Sequence, residues 1–394
     1  MEERRAGPQS IGQVIFKVAS RCNLNCVYCY VYNKADSSWK QRPTLMSAAV
    51  YQTALQRIQE YCRTTGRTSI DIAFHGGEPT LIGVETFRRW CDQALAVLAE
   101  NVRVRFTIQT NGTLLDREWA RAFQEYGVDV GVSLDGAKES HDLFRVDHTG
   151  AGSYDRVRRG LAALGEENVP FGILCVVPLG ADPILTHRSF LETGCSTITY
   201  LLPHYTYDDI APVRDRYGAT PCADFLVPVF DDWWFNGYMD IRVRDLWNIA
   251  RVILGGASTI ETIGNTPPLY AFIEANGDIE GLDNLRACDE GMAQLKLNVS
   301  TSGLDEIFSS QGIHGTAIFY GLPLPQGCHS CVESETCSGG YLPHRYSRAR
   351  GFDNPSVWCG DLLKIFAHVR ERLGVSHAET RKRRDALRGS FTMN

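Results

Sequence analysis

Between residues 14 and 202 the chain alternates short apolar, β-branched runs with longer segments whose apolar residues recur every three or four positions. The short runs read as six strands, at 14–18, 69–74, 102–109, 128–134, 171–177 and 197–201. Amphipathic stretches at 48–61, 85–98, 117–126, 154–164 and 184–193 lie between them and read as helices. Strand, helix, strand in repetition implies parallel strands joined by crossover helices, so the pattern predicts an α/β fold with its sheet curled into a partial or full barrel. Past Pro203 the rhythm breaks: 208–217 reads as a loop, 225–234 and 245–254 as helices, and 270–273 with 279–282 as a hairpin around Asn276 and Gly277. The stretch 327–360 has little periodicity and much Cys, Gly, Ser and Pro. Such a segment cannot build its own core, and its four cysteines predict that it folds around a metal.

With 394 residues, 44% of them hydrophobic, the chain can bury one large core and a smaller appended lobe. A net charge of -6 offers no electrostatic reason to bind nucleic acid or an anionic membrane. The basic cluster Arg381, Lys382, Arg383 and Arg384 reads as a solvated helix end. No apolar run is long enough to span a bilayer, and Met1, Glu2, Glu3, Arg4 and Arg5 lack the apolar centre of a signal peptide, so a cytoplasmic location is expected.

Thirteen cysteines, an odd number in a chain expected in reducing surroundings, point to metal ligation before disulfides. Seven of them fall in two tight groups, Cys22/Cys26/Cys29 and Cys328/Cys331/Cys337/Cys359. The scattered remainder, Cys62, Cys91, Cys175, Cys195, Cys222 and Cys288, read as small buried hydrophobes.

The first group has the spacing C-x3-C-x2-C, directly after the first strand, among Asn23, Asn25, Tyr28 and Tyr30. Three thiolates are one short of a filled iron–sulfur ligand set, which leaves one iron open to another ligand. A structural zinc would want four ligands, and no fourth Cys or His lies close in sequence. Barrels of this kind assemble their sites from loops at the C-terminal ends of strands, where this group falls. Three further segments follow later strands: Gly76-Gly77-Glu78-Pro79, Gln109-Thr110-Asn111-Gly112 and Ser133-Leu134-Asp135-Gly136.

In these motifs the chain resembles the radical S-adenosylmethionine (SAM) superfamily. The resemblance implies a partial (βα)6 TIM-type barrel and a SAM-binding [4Fe–4S] cluster on Cys22, Cys26 and Cys29. It implies a SAM site made by Gly76, Gly77 and Glu78 at the amino group, with Asn111, Ser133 and Asp135 from the later segments and Arg145 at the carboxylate.

The second group, C-x2-C-x5-C and a distant fourth cysteine, is a full set for a tetrahedral metal or a closed cluster. It is similar to the C-terminal SPASM extension of radical SAM peptide maturases, which implies an auxiliary [4Fe–4S] cluster on Cys328, Cys331, Cys337 and Cys359. The full extension carries two auxiliary clusters, but Tyr341 and Leu282 stand here where cysteines are expected, and Cys288 cannot build a cluster alone. One auxiliary cluster is therefore expected. Asp283 occupies the place of an acid that accepts a proton in sulfatase maturases, and a hairpin-turn role is its plainer reading.

The domain order expected is 1–11 as an N-terminal extension, 12–205 as the barrel, 206–265 as a helical connector, 266–375 as the SPASM-like subdomain and 376–394 as a basic tail. The segments Leu201-Leu202-Pro203-His204, Asn276 to Gly281 and Gly339 to Tyr346 resemble the cyclophane-forming (FxsB-like) branch of ribosomal peptide maturases. That implies a precursor peptide as substrate, an intrapeptide carbon–carbon crosslink as the reaction, and an external reductant such as flavodoxin or ferredoxin. Formylglycine formation on a sulfatase is the alternative, and a non-catalytic iron–sulfur or electron-transfer protein a third. No small recognition module is expected ahead of the barrel, so His344, Arg345 and Tyr346 are candidates for leader contact; Trp233 and Trp234 are too, although core packing is their plainer reading.

Overall fold

The computed structural model describes residues 9–238, 240–310 and 312–391, so the Met1 to Arg5 segment lies outside the described residues. Its strands are Gln13–Ala19 (β1), Ser69–Gly76 (β2), Arg103–Thr110 (β3), Asp129–Ser133 (β4), Phe171–Val176 (β5), Thr197–Leu201 (β6), Arg242–Val243 (β7), Tyr270–Ile273 (β8), Asp278–Glu280 (β9) and Gln294–Asn298 (β10). Two compact units contain them. The first comprises the described residues of Met1–Leu134 with His141–Gly172 and Pro267–Gly321; the second comprises Asp135–Ser140, Ile173–Thr266 and the described residues of Leu322–Asn394.

In the first unit the strand order is β10-β9-β8-β1-β2-β3-β4, an open sheet whose members β1 to β4 run parallel. β1 is apolar on both faces, as a strand covered on both sides must be, and all but its first residue are buried. The intervening helices are bounded by local chemistry. Ser47 caps Ala48–Thr65 by accepting from the Val50 N–H, and Gly66 ends that helix in the left-handed region. Asp116 does the same for Arg117–Tyr126 through the Trp119 N–H, with Gly127 at its other end. Tyr51 stacks on Trp90 at 4.4 Å and Phe74 meets Phe87 at 4.8 Å, pinning helices Ala48–Thr65 and Val84–Leu98 against the sheet. Each such buried ring contributes about 1.5–3 kcal/mol.

The hairpin expected within 266–375 belongs to this first unit. β8 pairs parallel to β1, from Gln13 opposite Tyr270 to Phe16 opposite Ile273, and β9 and β10 follow antiparallel. Backbone pairing across more than 250 residues leaves no local trace, so the units divide the chain differently from the boundaries drawn from sequence. β10 and helix Ile313–Tyr320 were not expected.

The second unit holds β5-β6-β7 and helices Pro183–Leu191, Pro221–Phe235, Arg244–Ile253 and Cys359–Leu373. The expected loop at 208–217 is in part a helix, Ala211–Tyr217: Pro212 sits in the first turn, where no N–H is needed, and Val213 is buried. Trp233 is fully buried and donates to the Ile241 carbonyl at 2.8 Å, while Trp234 stacks on Phe230. The basic cluster lies on helix His377–Phe391, with Arg384 paired to Glu335 at 3.1 Å. Among the described residues no helix is long and apolar enough to cross a membrane.

Candidate active site

Cys22, Cys26 and Cys29 lie half-buried in the loop after β1. The loop is clamped by backbone bonds from Asn25 to Val146 at 2.7 Å and from Val27 to Phe144 at 2.9 Å. Donors already point at the sulfurs: Cys22 accepts from the Leu24 N–H at 3.3 Å and from Asn111 Nδ2 at 3.7 Å, and the Val31 and Tyr32 amides lie on Cys29. Burial first, then Glu78 and the two other sulfurs, push the Cys22 thiol up to about 12. An iron cluster bound here would bring the positive charge that holds such buried sulfurs as thiolates.

β2 ends against that loop. A Cβ at Gly77 would stand 2.0 Å from the Tyr32 hydroxyl and 2.3 Å from the Arg21 carbonyl; at Gly76, with φ +138°, it would stand 2.3 Å from the Ala19 carbonyl. Only glycine permits this approach. Glu78 is fully buried, and its carboxylate accepts from both the N–H and hydroxyl of Thr80, from the Thr110 hydroxyl and from the Asn111 N–H, at 2.6 to 3.1 Å. Its side chain thus ties the end of β2 to the end of β3. Asn111 extends the tie to Asn23 at 2.8 Å. Ser133 accepts from Gln109 at 3.1 Å, and the buried Arg145 guanidinium lies 5.5 Å from the centre of the Tyr28 ring. Asp135 belongs to the second unit, where it accepts from the Val176 N–H at 3.0 Å.

Asp283 stands in a buried charged cluster that the sequence did not disclose. Lys17 from β1 and Arg286 both bond its Oδ1, and Tyr30, next to Cys29, donates to Oδ2 at 2.7 Å. The neighbouring carboxylates Glu274, Glu280 and Asp36 are held by Arg42 and Arg286. Although burial opposes it, the Lys17 and Arg286 charges hold the Asp283 carboxyl far below its ordinary range, whereas burial and Glu274 push Glu280 up to about 7. Glu274, Glu280 and Asp283 are close enough to bind an ion, but three cations already occupy their oxygens. The one available clue was Lys17 itself, a lysine inside an otherwise apolar strand.

In the second unit Cys328, Cys331, Cys337 and Cys359 line one small cavity of about 20 Å³. Burial first, then Cys359, pushes the Cys337 thiol up to about 12. Among the described residues only Glu274, Glu280 and Asp283 bring three candidate ligand atoms within 4.8 Å of one another. Four cysteines around one cavity are a full ligand set for a closed iron–sulfur cluster. Tyr341 packs against His204 and His344 at ring separations of 5.8 and 5.4 Å. His344, Arg345 and Tyr346 are buried, which removes them as an exposed leader surface. Leu282 and Cys288 are buried in the first unit.

The family model described as the radical SAM superfamily matches residues 16–216. A cysteine-type anaerobic sulfatase-maturating enzyme of Clostridium novyi (strain NT) is 32% identical over 371 residues, covering 91% of this chain and 95% of the relative. A serine-type anaerobic sulfatase-maturating enzyme of Bacteroides thetaiotaomicron is 26% identical, over 89% of this chain and 87% of its own. Among solved structures, native anSMEcpe with bound AdoMet and Cp18Cys peptide has the same fold, with a TM-score of 0.78 at 24% identity over 93% of this chain and 98% of that one. Streptococcus suis SuiB bound to precursor peptide SuiA is more distant in fold, with a TM-score of 0.58 at 15% identity over 89% and 76%.

Proposed function

The chain belongs to the radical SAM superfamily, and from that premise we propose that it oxidises a cysteine or serine side chain within a peptide. The observation that carries the reading is the 32% identity to a cysteine-type sulfatase-maturating enzyme over 91% of the chain. It favours the oxidation over the crosslink expected from the sequence.

When bound, SAM and its cluster supply the 5′-deoxyadenosyl radical that removes a hydrogen atom from the substrate carbon, and the auxiliary cluster supplies an acceptor for the second electron. Cys22, Cys26 and Cys29 would hold the first cluster, and Cys328, Cys331, Cys337 and Cys359 the second. Gly76 and Gly77 keep the backbone close to the cluster loop, Glu78 and Asn111 fix that loop against β3, and Ser133 and Arg145 are assigned to SAM. Asp283 stays ionised beside Lys17 and Arg286, a fixed negative charge and a weak proton acceptor, with Tyr30 as its contact on the cluster loop. A low-potential reductant such as flavodoxin or ferredoxin would supply the first electron.

Intrapeptide carbon–carbon crosslinking is the second reading. Leu282 and Tyr341, at positions where the two-cluster extension carries cysteines, favour it. The deciding experiment is anaerobic turnover of Cys- and Ser-containing sulfatase peptides and of precursor peptides encoded beside the gene. A hydrazide-reactive aldehyde at the Cys or Ser supports oxidation. A peptide lighter by two hydrogens that carries no aldehyde supports the crosslink, and absence of 5′-deoxyadenosine with every peptide would overturn both.

A further inference from the structure

Arg345 is 2% exposed, yet its guanidinium forms no ion pair among the described residues. Nε donates to the Phe352 carbonyl at 3.2 Å and Nη2 to the Pro323 carbonyl at 2.8 Å, while buried Nη1 has no hydrogen-bond partner. Among the other buried arginines, Arg42, Arg286 and Arg370 each sit against a carboxylate, while Arg145 lies over the Tyr28 ring of the cluster loop. A buried cation without a counterion is heavily penalised by lost hydration, so the anion it faces must be sought nearby.

The ionisable groups around it are, in order of influence, Cys328, Asp353 and Cys337. Asp353 is half-exposed, bonds the Gln326 N–H and lies 3.7 Å from Arg350, so water and another arginine already screen it. Cys328 and Cys337 are two of the four auxiliary cysteines. Nη1 lies 3.7 Å from the Cβ position of Gly339, whose own N–H bonds the Cys337 sulfur. A four-cysteine [4Fe–4S] centre carries a formal charge of about −2 when oxidised and about −3 when reduced, and its net charge and hydrogen bonds set its potential.

We propose that Arg345 is the built-in countercharge of the auxiliary cluster and that it raises the cluster's reduction potential, favouring electron acceptance from the substrate side. The inference rests on the reading that Cys328, Cys331, Cys337 and Cys359 hold an iron–sulfur cluster, and iron content tells the two failures apart.

The test uses the full chain with Cys22, Cys26 and Cys29 all replaced by Ala, so that iron reports the C-terminal group alone. Into this parent are placed Arg345→Gln and Arg345→Lys, and each protein is assayed for iron and sulfide and titrated potentiometrically with spin-resonance detection. Expected is iron retention in all three, with the reduction equilibrium of the Gln variant at least tenfold less favourable, a shift of 59 mV or more to negative potential for a one-electron couple. The Lys variant should stay near the parent. A Gln variant that loses iron while the Lys variant keeps both iron and potential also supports the countercharge. A Gln variant within twofold of the parent, a Lys variant shifted as far as Gln, or loss of iron from both would overturn it. A parent without iron would sink the cluster reading and this inference together.

Discussion

The Tyr30 phenol donates a 2.7 Å hydrogen bond to Asp283, joining the residue beside Cys29 to the carboxylate after β9. Because Lys17 and Arg286 hold that carboxylate as an anion, Tyr30 meets a fixed charge and not a titrating one. Tyr30→Phe removes this one bond and leaves the ion pairs in place. Release of 5′-deoxyadenosine should continue while modified peptide falls roughly 10-fold or more, the size of a lost hydrogen bond to a charged group, about 1.5 kcal/mol upward. Chromatographic measurement of both products decides the matter: equal loss of the two would move Tyr30 to cofactor binding, and undiminished peptide product would remove the pair from the reaction.

Gly77 offers a test of the cluster loop. An Ala Cβ there would overlap the Tyr32 hydroxyl, which can swing, and the Arg21 carbonyl, which is backbone and cannot move without the loop. Overpacking of this kind costs about 1–3 kcal/mol. Gly77→Ala should therefore lower iron at the triad and abolish the change that SAM makes in the spin-resonance spectrum of the reduced protein, with auxiliary-cluster iron retained. A normal response to SAM would show that the close approach is dispensable.

What could be read from sequence, and what could not, follows from the range of the interactions. Thr197–Leu201 and Arg117–Tyr126 fall where the apolar pattern places them, because a covered parallel strand and a one-sided helix leave their signature in consecutive residues. The two cysteine groups are legible for the same reason, since each set of ligands apart from Cys359 lies within ten residues. Lys17, Tyr30 and Asp283 meet across more than 250 positions, and a single lysine in a strand names no partner. The docking of β8 on β1 is equally silent, since backbone pairing is indifferent to side-chain identity. Arg345 stands between His344 and Tyr346, a run of polar residues that reads as a surface for leader contact, and tertiary packing buries all three.

The two cysteine groups should fail differently. Cys26→Ala removes a ligand of the cluster that engages SAM, so 5′-deoxyadenosine release should fall to background. Cys331→Ala disrupts only the group lining the C-terminal cavity, so uncoupled release should persist without modified peptide. Single-turnover assays with quantified iron separate the two. Normal product from Cys331→Ala would deny the second cluster any part in the reaction.

A buried carboxylate remote from both cysteine groups in sequence makes stability depend on pH. Asp245, on helix Arg244–Ile253, accepts the Tyr200 N–H at 2.9 Å, and burial pushes its carboxyl from 3.8 up to about 6. Between those values the folded chain keeps a proton that the unfolded chain has lost, so this contribution is complete below 3.8 and disappears as pH rises through about 6. At about 1.4 kcal/mol per unit the whole effect is about 3 kcal/mol, of which about 1.4 kcal/mol falls between pH 5 and 8. Asp245→Asn cannot ionise but keeps an oxygen for the Tyr200 N–H. Its stability relative to the parent should therefore rise with pH across that interval and level off above about pH 7, with Asp361, also pushed up to about 6, present in both proteins and cancelling from the difference. Anaerobic urea unfolding at a series of pH values measures this, and a stability difference that stays flat from pH 5 to 8 would show that the Asp245 carboxyl titrates in its ordinary range.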